Sequence, residues 1–373
     1  MDTVEWTRRV PVRYEADVAI AGGGIAGVSA AMAAAKSGAR VILIERFGCL
    51  GGCLTSGGVG NWSGRMGGEG EVFDSILAAQ REWDSLDEER PTAGHGCTNT
   101  VFDHEILAFI LQELVLRRGV KLLLHTRCVD ARVTTSGRIT ELMVCGSSGP
   151  EGVRARVFVD ATGEATLARA AGFAVMHGRP EDHLCIPMSE MAFVRESTEA
   201  VAPQVPAGWV APIRTKEELP MVSVWPNGAG EKALKIKIPR HDAGDTEGLT
   251  AGEIEARRRA FAVLDYYQRV EQKAWRYDHA SPIVGIREGR RIVGDYVLTE
   301  DDLRAGRTFD DAVARGGFYL DGTTPDTDKR EYVIPHDRQK VPPYQIPLRS
   351  LIARDGENLF MAGRCMSCDD VAL

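Results

Sequence analysis

Three glycines at fixed spacing carry the first chemical signal. Gly22, Gly24 and Gly27 follow the apolar run Asp17-Val18-Ala19-Ile20-Ala21 and lead into an alanine-rich stretch (Ala30, Ala31, Ala33, Ala34, Ala35). Gly22 permits a tight turn, Gly24 lets the backbone approach a pyrophosphate, and Gly27 lets a helix pack closely on a strand. The helix N-terminus formed this way aims free N–H groups and the positive end of its dipole at phosphates. Glu45 closes the next apolar run, Arg40-Val41-Ile42-Leu43-Ile44, at the place where a carboxylate binds ribose hydroxyls. An acid there disfavours a 2′-phosphate, so the unit is expected to hold a dinucleotide other than NADP. A dinucleotide implies redox chemistry.

Cysteine is the other reactive type. Of the eight cysteines, Cys49/Cys53 and Cys365/Cys368 lie close in sequence. A redox dithiol or an iron–sulfur site would use such pairs. Neither pair sits in a cluster-binding run, so reduced thiols and no metal are expected, as in a cytoplasmic enzyme.

Elements that position these residues follow from the pattern. The 373 residues suffice for two lobes, and a net charge of −8 points away from nucleic acid or an anionic membrane surface. No signal peptide or membrane-length apolar run is visible. After a glycine-rich loop (Gly48 to Gly60), a helix is expected over Glu71 to Glu88, and Asp103 should cap the next helix, which stops at Gly119. Val120 to His125 reads as a parallel strand, which completes a doubly wound β-α-β-α-β unit. Three alternating segments, Cys128 to Val133, Ile139 to Val144 and Val153 to Val157, form a meander. The last flows into Val159-Asp160-Ala161-Thr162-Gly163. From Phe173 onward proline becomes frequent, and strands at Glu190 to Arg195 and Ala233 to Ile238 suggest an inserted lobe with its own antiparallel sheet. Its long helix is expected to start at a Thr250/Glu253 capping box, with Ile254, Phe261, Leu264, Tyr267 and Trp275 as its apolar face. Ile292 to Leu298 reads as a strand. Asn358-Leu359-Phe360-Met361-Ala362-Gly363-Arg364 returns to the first lobe.

Together these segments resemble FAD-dependent oxidoreductases with the glutathione-reductase-type flavin fold. More narrowly, they resemble the bacterial group described as FAD-dependent oxidoreductase. The pieces that carry the resemblance are the glycine turn with Glu45 and Arg46, Leu50 to Gly57, Asp160 to Gly163, Gly285 to Tyr296, Ile346 to Leu351 and Asn358 to Arg364. It implies an α/β fold: a Rossmann-like FAD-binding domain with a β-meander (residues 1–65, 98–175 and 345–373) and an inserted α+β substrate or cap lobe (66–97 and 176–344). By the same resemblance Gly22, Gly24, Ile25, Ala26 and Gly27 would hold the pyrophosphate of FAD. Glu45 would take the adenosine ribose, and Arg46 would lie along the adenosine half. Gly52, Cys53, Leu54 and Thr55 would line the path to the flavin ring. Val129 would meet the adenine through its backbone, Ala161, Thr162 and Gly163 would close over the nucleotide, and Gly363 and Arg364 would approach the ribityl chain.

Two departures stand out. Family members continue past the last strand into a further glycine turn and a small-residue helix, where this sequence reaches Val371-Ala372-Leu373; the resemblance then implies a shortened sequence or weakened flavin binding. A histidine expected soon after Asp321 is absent.

A flavin brings hydride chemistry, which a cation near its pyrimidine side assists. Arg287 and Arg349 are candidates for that cation or for a substrate carboxylate, and His336 for a proton carrier. No second glycine fingerprint exists for an NAD(P)H domain, so reduction by a small-molecule substrate under the second lobe is expected. An NAD-dependent dehydrogenase and a nucleotide-binding protein without catalysis are the alternatives.

Overall fold

The computed structural model describes residues 2–5, 7–91, 97–227 and 230–373. In chain order the first lobe contains β1 (Val12–Ala21), α1 (Ile25–Lys36), β2 (Val41–Ile44), β3 (Asn61–Arg65), α2 (Glu71–Glu82), β4 (Arg90–Pro91), β5 (Thr98–Val101), α3 (His104–Arg117), β6 (Lys121–Leu123), β7 (Arg127–Val133), β8 (Ile139–Gly146), β9 (Gly149–Asp160) and α4 (Thr166–Ala170). Then follow β10 (Val175–His177), β11 (Met188–Glu196), β12 (Val222–Pro226), β13 (Glu231–Ile238), α5 (Thr246–Arg269), β14 (Trp275–Ala280), β15 (Arg290–Ile292), α6 (Glu300–Arg304), β16 (Ala312–Gly316), β17 (Tyr344–Pro347) and β18 (Leu359–Met361).

The main sheet has the order β6-β2-β1-β9-β8-β7, with β18 also on β9. Strands β6, β2, β1, β9 and β18 are parallel neighbours, and all four residues of β2 are buried, as a strand covered on both faces requires. β9 is one continuous strand whose partners change along one flank. β8 pairs antiparallel with its first half, and β18 pairs parallel with Phe158 to Asp160. At the seam the buried Asn358 accepts from the Ile139 N–H (2.9 Å) and donates to the carbonyls of Ile139 (3.0 Å) and Arg156 (3.1 Å).

Asp103 caps α3 as expected, accepting from the N–H groups of Glu105 and Ile106. α2 ends at Glu82 rather than Glu88, because Asp84 adopts a left-handed conformation (φ 50°). It buries Ile76 and Leu77 in the same apolar cluster as Val28, Met32, Leu107 and Leu111. This part of the 66–97 stretch therefore packs with the first lobe, not the second.

The second lobe is a four-stranded antiparallel sheet, β12-β13-β11-β14. Helix α5 covers one face and packs on Met188, Ala192, Val194, Leu234, Ile236 and Ile238. Met191, Phe193 and Ala233 occupy the other face beside Val59. A Cβ on Gly58 would lie 3.0 Å from the Met191 Cβ, so this face rests directly on the glycine-rich loop.

Three expectations fail in this lobe. α5 starts at Thr246 and is capped by Asp245, which accepts from the Gly248 N–H at 2.7 Å. Thr250 instead returns its hydroxyl to the Thr246 carbonyl (2.7 Å), and Glu253 accepts from the Val284 N–H (3.0 Å). Of the expected apolar face, Leu264 is buried and Tyr267 packs against the same cluster beside Ala256, Ala260 and Val263; Ile254 and Phe261 face outward, and Trp275 joins that cluster from β14. Small alanines let the helix sit close on the sheet, which the periodicity of large residues did not reveal. The strand expected over Ile292 to Leu298 is only Arg290–Ile292; beyond it the Gly294 N–H donates to the Ser367 hydroxyl (3.0 Å) instead of a strand partner.

Candidate functional site

A groove of about 360 Å³ runs along the edge where the parallel strands end. Crevices at the carboxyl ends of such strands are where ligands bind. Its floor is the β1–α1 turn. Gly22 has φ 104°, and a Cβ there would lie 2.3 Å from the Ala161 carbonyl oxygen. A Cβ on Gly27 would meet the Gly22 oxygen at 1.8 Å. These two glycines serve packing. Gly24 differs: a Cβ there meets no atom within 4 Å, because the position faces the open groove. It is the N-cap of α1, whose first turn has neither a side-chain cap nor an acidic residue. Uncapped N–H groups facing a groove form an anion site.

Glu45 lies across the groove floor and is 5 % exposed. Its carboxylate accepts from the Gly23 N–H (2.6 Å) and the Phe47 N–H (2.8 Å), so it braces the glycine turn. Each oxygen keeps a further lone pair for a hydroxyl. Arg46 lines the groove with its guanidinium over the Phe47 ring.

The far wall combines the ends of β9 and β18. Asp160, fully buried, accepts from Thr162 N–H (3.0 Å), Thr162 O–H (2.7 Å) and Ala168 N–H (3.0 Å), which shapes the Ala161-Thr162-Gly163 turn. Burial raises its pKa, and these hydrogen bonds oppose the rise. Arg364 ties three segments together. It donates to Glu164 (2.6 Å), to the Gly163 carbonyl (3.1 Å) and to the Ile286 carbonyl (2.6 Å). Burial raises the Glu164 pKa, and the charge of Arg364 holds it back. Neither Asp160 nor Glu164 was singled out as a site residue. Glu164 packs against Gly289, where a Cβ would lie 1.9 Å from its Oε2, a meeting of distant segments that left no signal in the sequence.

Gly22, Gly24, Ile25, Ala26, Glu45, Arg46, Gly52, Cys53, Leu54, Ala161, Thr162, Gly163, Gly363 and Arg364 all line this groove. Gly27 and Thr55 lie beneath it; the Thr55 hydroxyl donates to the Leu50 carbonyl (2.6 Å). Val129 is half exposed on β7, outside the lining, which uses Thr126 to Cys128 instead. Arg349 stands away from the groove, exposed, held by Asp311 (3.0 and 3.2 Å) over the Tyr296 ring. His336 is exposed on a short turn, edge-on to Tyr332. Arg287 alone among the three candidates faces a cavity, a second one of about 250 Å³, and donates to Asp321 (3.2 Å).

All eight cysteines are free. Among the described residues, the two side-chain groups close enough to share an ion are His177/Cys185/Asp242 and Glu231/Asp278/His279, and neither draws on the close-spaced cysteine pairs. No described helix is long and apolar enough to cross a membrane.

This sheet and groove define a Rossmann-like dinucleotide-binding protein. Residues 17–373 match the family model described as FAD dependent oxidoreductase, and the chain belongs to that family. FAD is accordingly its cofactor, and the open Gly24 position, the uncapped α1 terminus and the acceptor Glu45 fit a dinucleotide. No curated protein matches. Similar solved structures include Thermovibrio ammonificans THI4 (22 % identity, 44 % of this chain and 66 % of that one, TM-score 0.34). A geranylgeranyl bacteriochlorophyll reductase-like protein from Thermoplasma acidophilum is 15 % identical over 76 % of this chain and 68 % of that one, TM-score 0.45. The flavin-dependent monooxygenase PieE, solved with FAD and substrate, is 15 % identical over 72 % of this chain and 49 % of that one, TM-score 0.46. The chain thus spans about half to two thirds of the length of these structures.

Proposed function

We propose that the protein is an FAD-dependent oxidoreductase in which a hydride passes between a small organic substrate and the flavin. The observation that carries this reading is the uncapped α1 N-terminus, opening at Gly24 onto a groove that ends at Glu45. Bound FAD supplies two-electron redox chemistry. The chain's own residues hold and orient it. The N–H groups of the first turn of α1 receive the diphosphate, and the remaining Glu45 lone pairs accept from ribose hydroxyls. Gly52, Cys53 and Leu54 line the approach to the ring, and Ala161 to Gly163 with Gly363 close the groove from the other side. The substrate enters from the 176–344 lobe, whose Ile283, Val284 and Ile286 already border the groove. The free thiols suit a reducing, cytoplasmic setting.

Gly24→Val tests the site. The added Cβ meets no protein atom within 4 Å, so the cost in ligand-free stability should be only the loss of a good N-cap residue, about 1 kcal/mol. FAD affinity, followed by flavin absorbance and fluorescence, should fall by more than about tenfold. A variant that binds FAD as tightly as wild type would overturn the assignment. So would a colourless wild-type protein that refuses FAD and binds NAD.

A further inference from the structure

Of the two side-chain groups close enough to share an ion, one already has a protein cation. In Glu231/Asp278/His279, Arg195 lies 2.9 Å from Asp278 and 3.6 Å from Glu231. The other group differs. His177 ends β10, Cys185 lies in the loop to β11, and Asp242 lies in the loop between β13 and α5. Their ligand atoms all fall within 4.8 Å of one another. The His177 Nε2 is 3.1 Å from the Asp242 Oδ1. Nitrogen and oxygen ligands on one tetrahedral zinc stand about 3.4 Å apart. The Gly244 N–H donates to the same Oδ1 (2.7 Å), which fixes the carboxylate, and Arg290 lies 3.8 Å from the other oxygen. Cys185 is 7 % exposed, and among the described residues its thiol has no hydrogen-bond partner.

The backbone brings these groups together. Between His177 and Cys185 the chain doubles back: the Arg179 N–H donates to the Leu184 carbonyl (3.0 Å), and the His183 N–H to the Arg179 carbonyl (2.9 Å). Gly178 (φ 57°) permits the turn, since a Cβ there would lie 2.3 Å from the His183 oxygen. Arg179 clamps the turn through Asp182 (2.8 and 2.7 Å), and Glu288 holds the Ile186 N–H just past Cys185 (2.5 Å). The charges acting on the Cys185 sulfur are mainly negative: Glu288, Asp242 and Glu164 against Arg291. Magnesium and calcium take all-oxygen sites, whereas thiolate, imidazole and carboxylate together suit zinc. We infer that His177, Cys185 and Asp242 form a zinc site. The ion replaces the thiol proton, which leaves to water, and the His177–Asp242 hydrogen bond; a water completes the tetrahedron. Ala243 to Thr246, which follow Asp242, border the flavin groove, so the ion pins that wall to β10. The zinc site does not depend on the flavin reading.

The experiment equilibrates the full-length, untagged protein with zinc chloride, removes loose metal by gel filtration, and measures bound metal and X-ray absorption at the zinc edge. A competing chelator gives the affinity. Wild type should keep about one zinc per chain, with a sulfur neighbour at about 2.3 Å. Magnesium chloride offered in the same way should wash out. Zinc should raise the thermal midpoint of wild type, as a ligand of the native state does. Cys185→Ala should lose the sulfur neighbour and bind zinc at least about tenfold more weakly, the loss that even an outer partner of a metal ligand causes. Asp242→Asn should weaken binding and keep the sulfur. If Cys185→Ala does not fold, His177→Ala should give the same loss of affinity. Wild type that keeps no zinc, zinc without a sulfur neighbour, equal retention of magnesium, or unchanged zinc affinity in a folded Cys185→Ala or His177→Ala variant overturns the inference.

Discussion

Glu190 is a carboxyl on β11, 1 % exposed, with its Oε1 lacking any partner. Burial, and then the charge of Glu253, push it up to about 8 from an ordinary 4.5. The folded state thus holds this proton more tightly than the unfolded chain does. Its contribution favours folding at low pH and turns unfavourable as pH rises from about 4.5 toward 8. Glu190→Gln should therefore be more stable than wild type at pH 9, by on the order of a few kcal/mol, with the gap shrinking toward pH 5. Urea unfolding at both pH values checks this, and a pH-independent gap would refute it. At this scale the glycine turn and Glu45 were legible because their chemistry is local. Arg349 was not, since Asp311, which holds it, lies far off in sequence. Asp160 was missed for another reason: its partners are near in sequence, but its role depends on the turn that folds Ala168 back onto it.

Helices and strands were legible where a cap or a run of large residues marks them. Asp103 announces α3, and the all-apolar β2 announces a covered strand. α5 was harder. Its start is the local Asp245 cap, while the Thr250/Glu253 pattern that resembles a capping box is diverted by a tertiary contact, Glu253 accepting from the Val284 N–H. Its buried alanines make a testable contrast. Ala256, wholly buried, should not accept a larger side chain: Ala256→Leu is expected to cost about 1–3 kcal/mol by overpacking against the sheet. Ile254, 47 % exposed, should tolerate alanine with a change of about 0.5 kcal/mol or less. Thermal unfolding of both variants decides whether the face is placed correctly.

The lobes meet where Arg364 joins β18, the end of β9 and Ile286. The change in composition after Phe173 marked an inserted lobe, but nothing in the sequence marked this joint, which links residues far apart in the chain. Arg364→Met leaves Glu164 buried without its cation, and should cost about 3 kcal/mol or more of stability. It should also loosen FAD. Pairing it with Glu164→Gln should recover a good part of the stability, since the orphaned charge is then gone. If the double variant is no more stable than the single one, the pair is not what holds the joint.

Translation imposes an order on the main sheet. The β8–β9 hairpin can close as soon as it leaves the ribosome, because its strands are adjacent in the chain. The rest of that flank of β9 waits for β18, about two hundred residues later. Until then the nascent protein carries a short raw edge, open to pairing with the wrong strand. Asn358 acts as a key for the late arrival, since its amide fits only where β8 and β9 are already aligned. The cofactor cradle is thus the last part of the sheet to be finished, and flavin captured at that moment would act as a latch on the newborn fold.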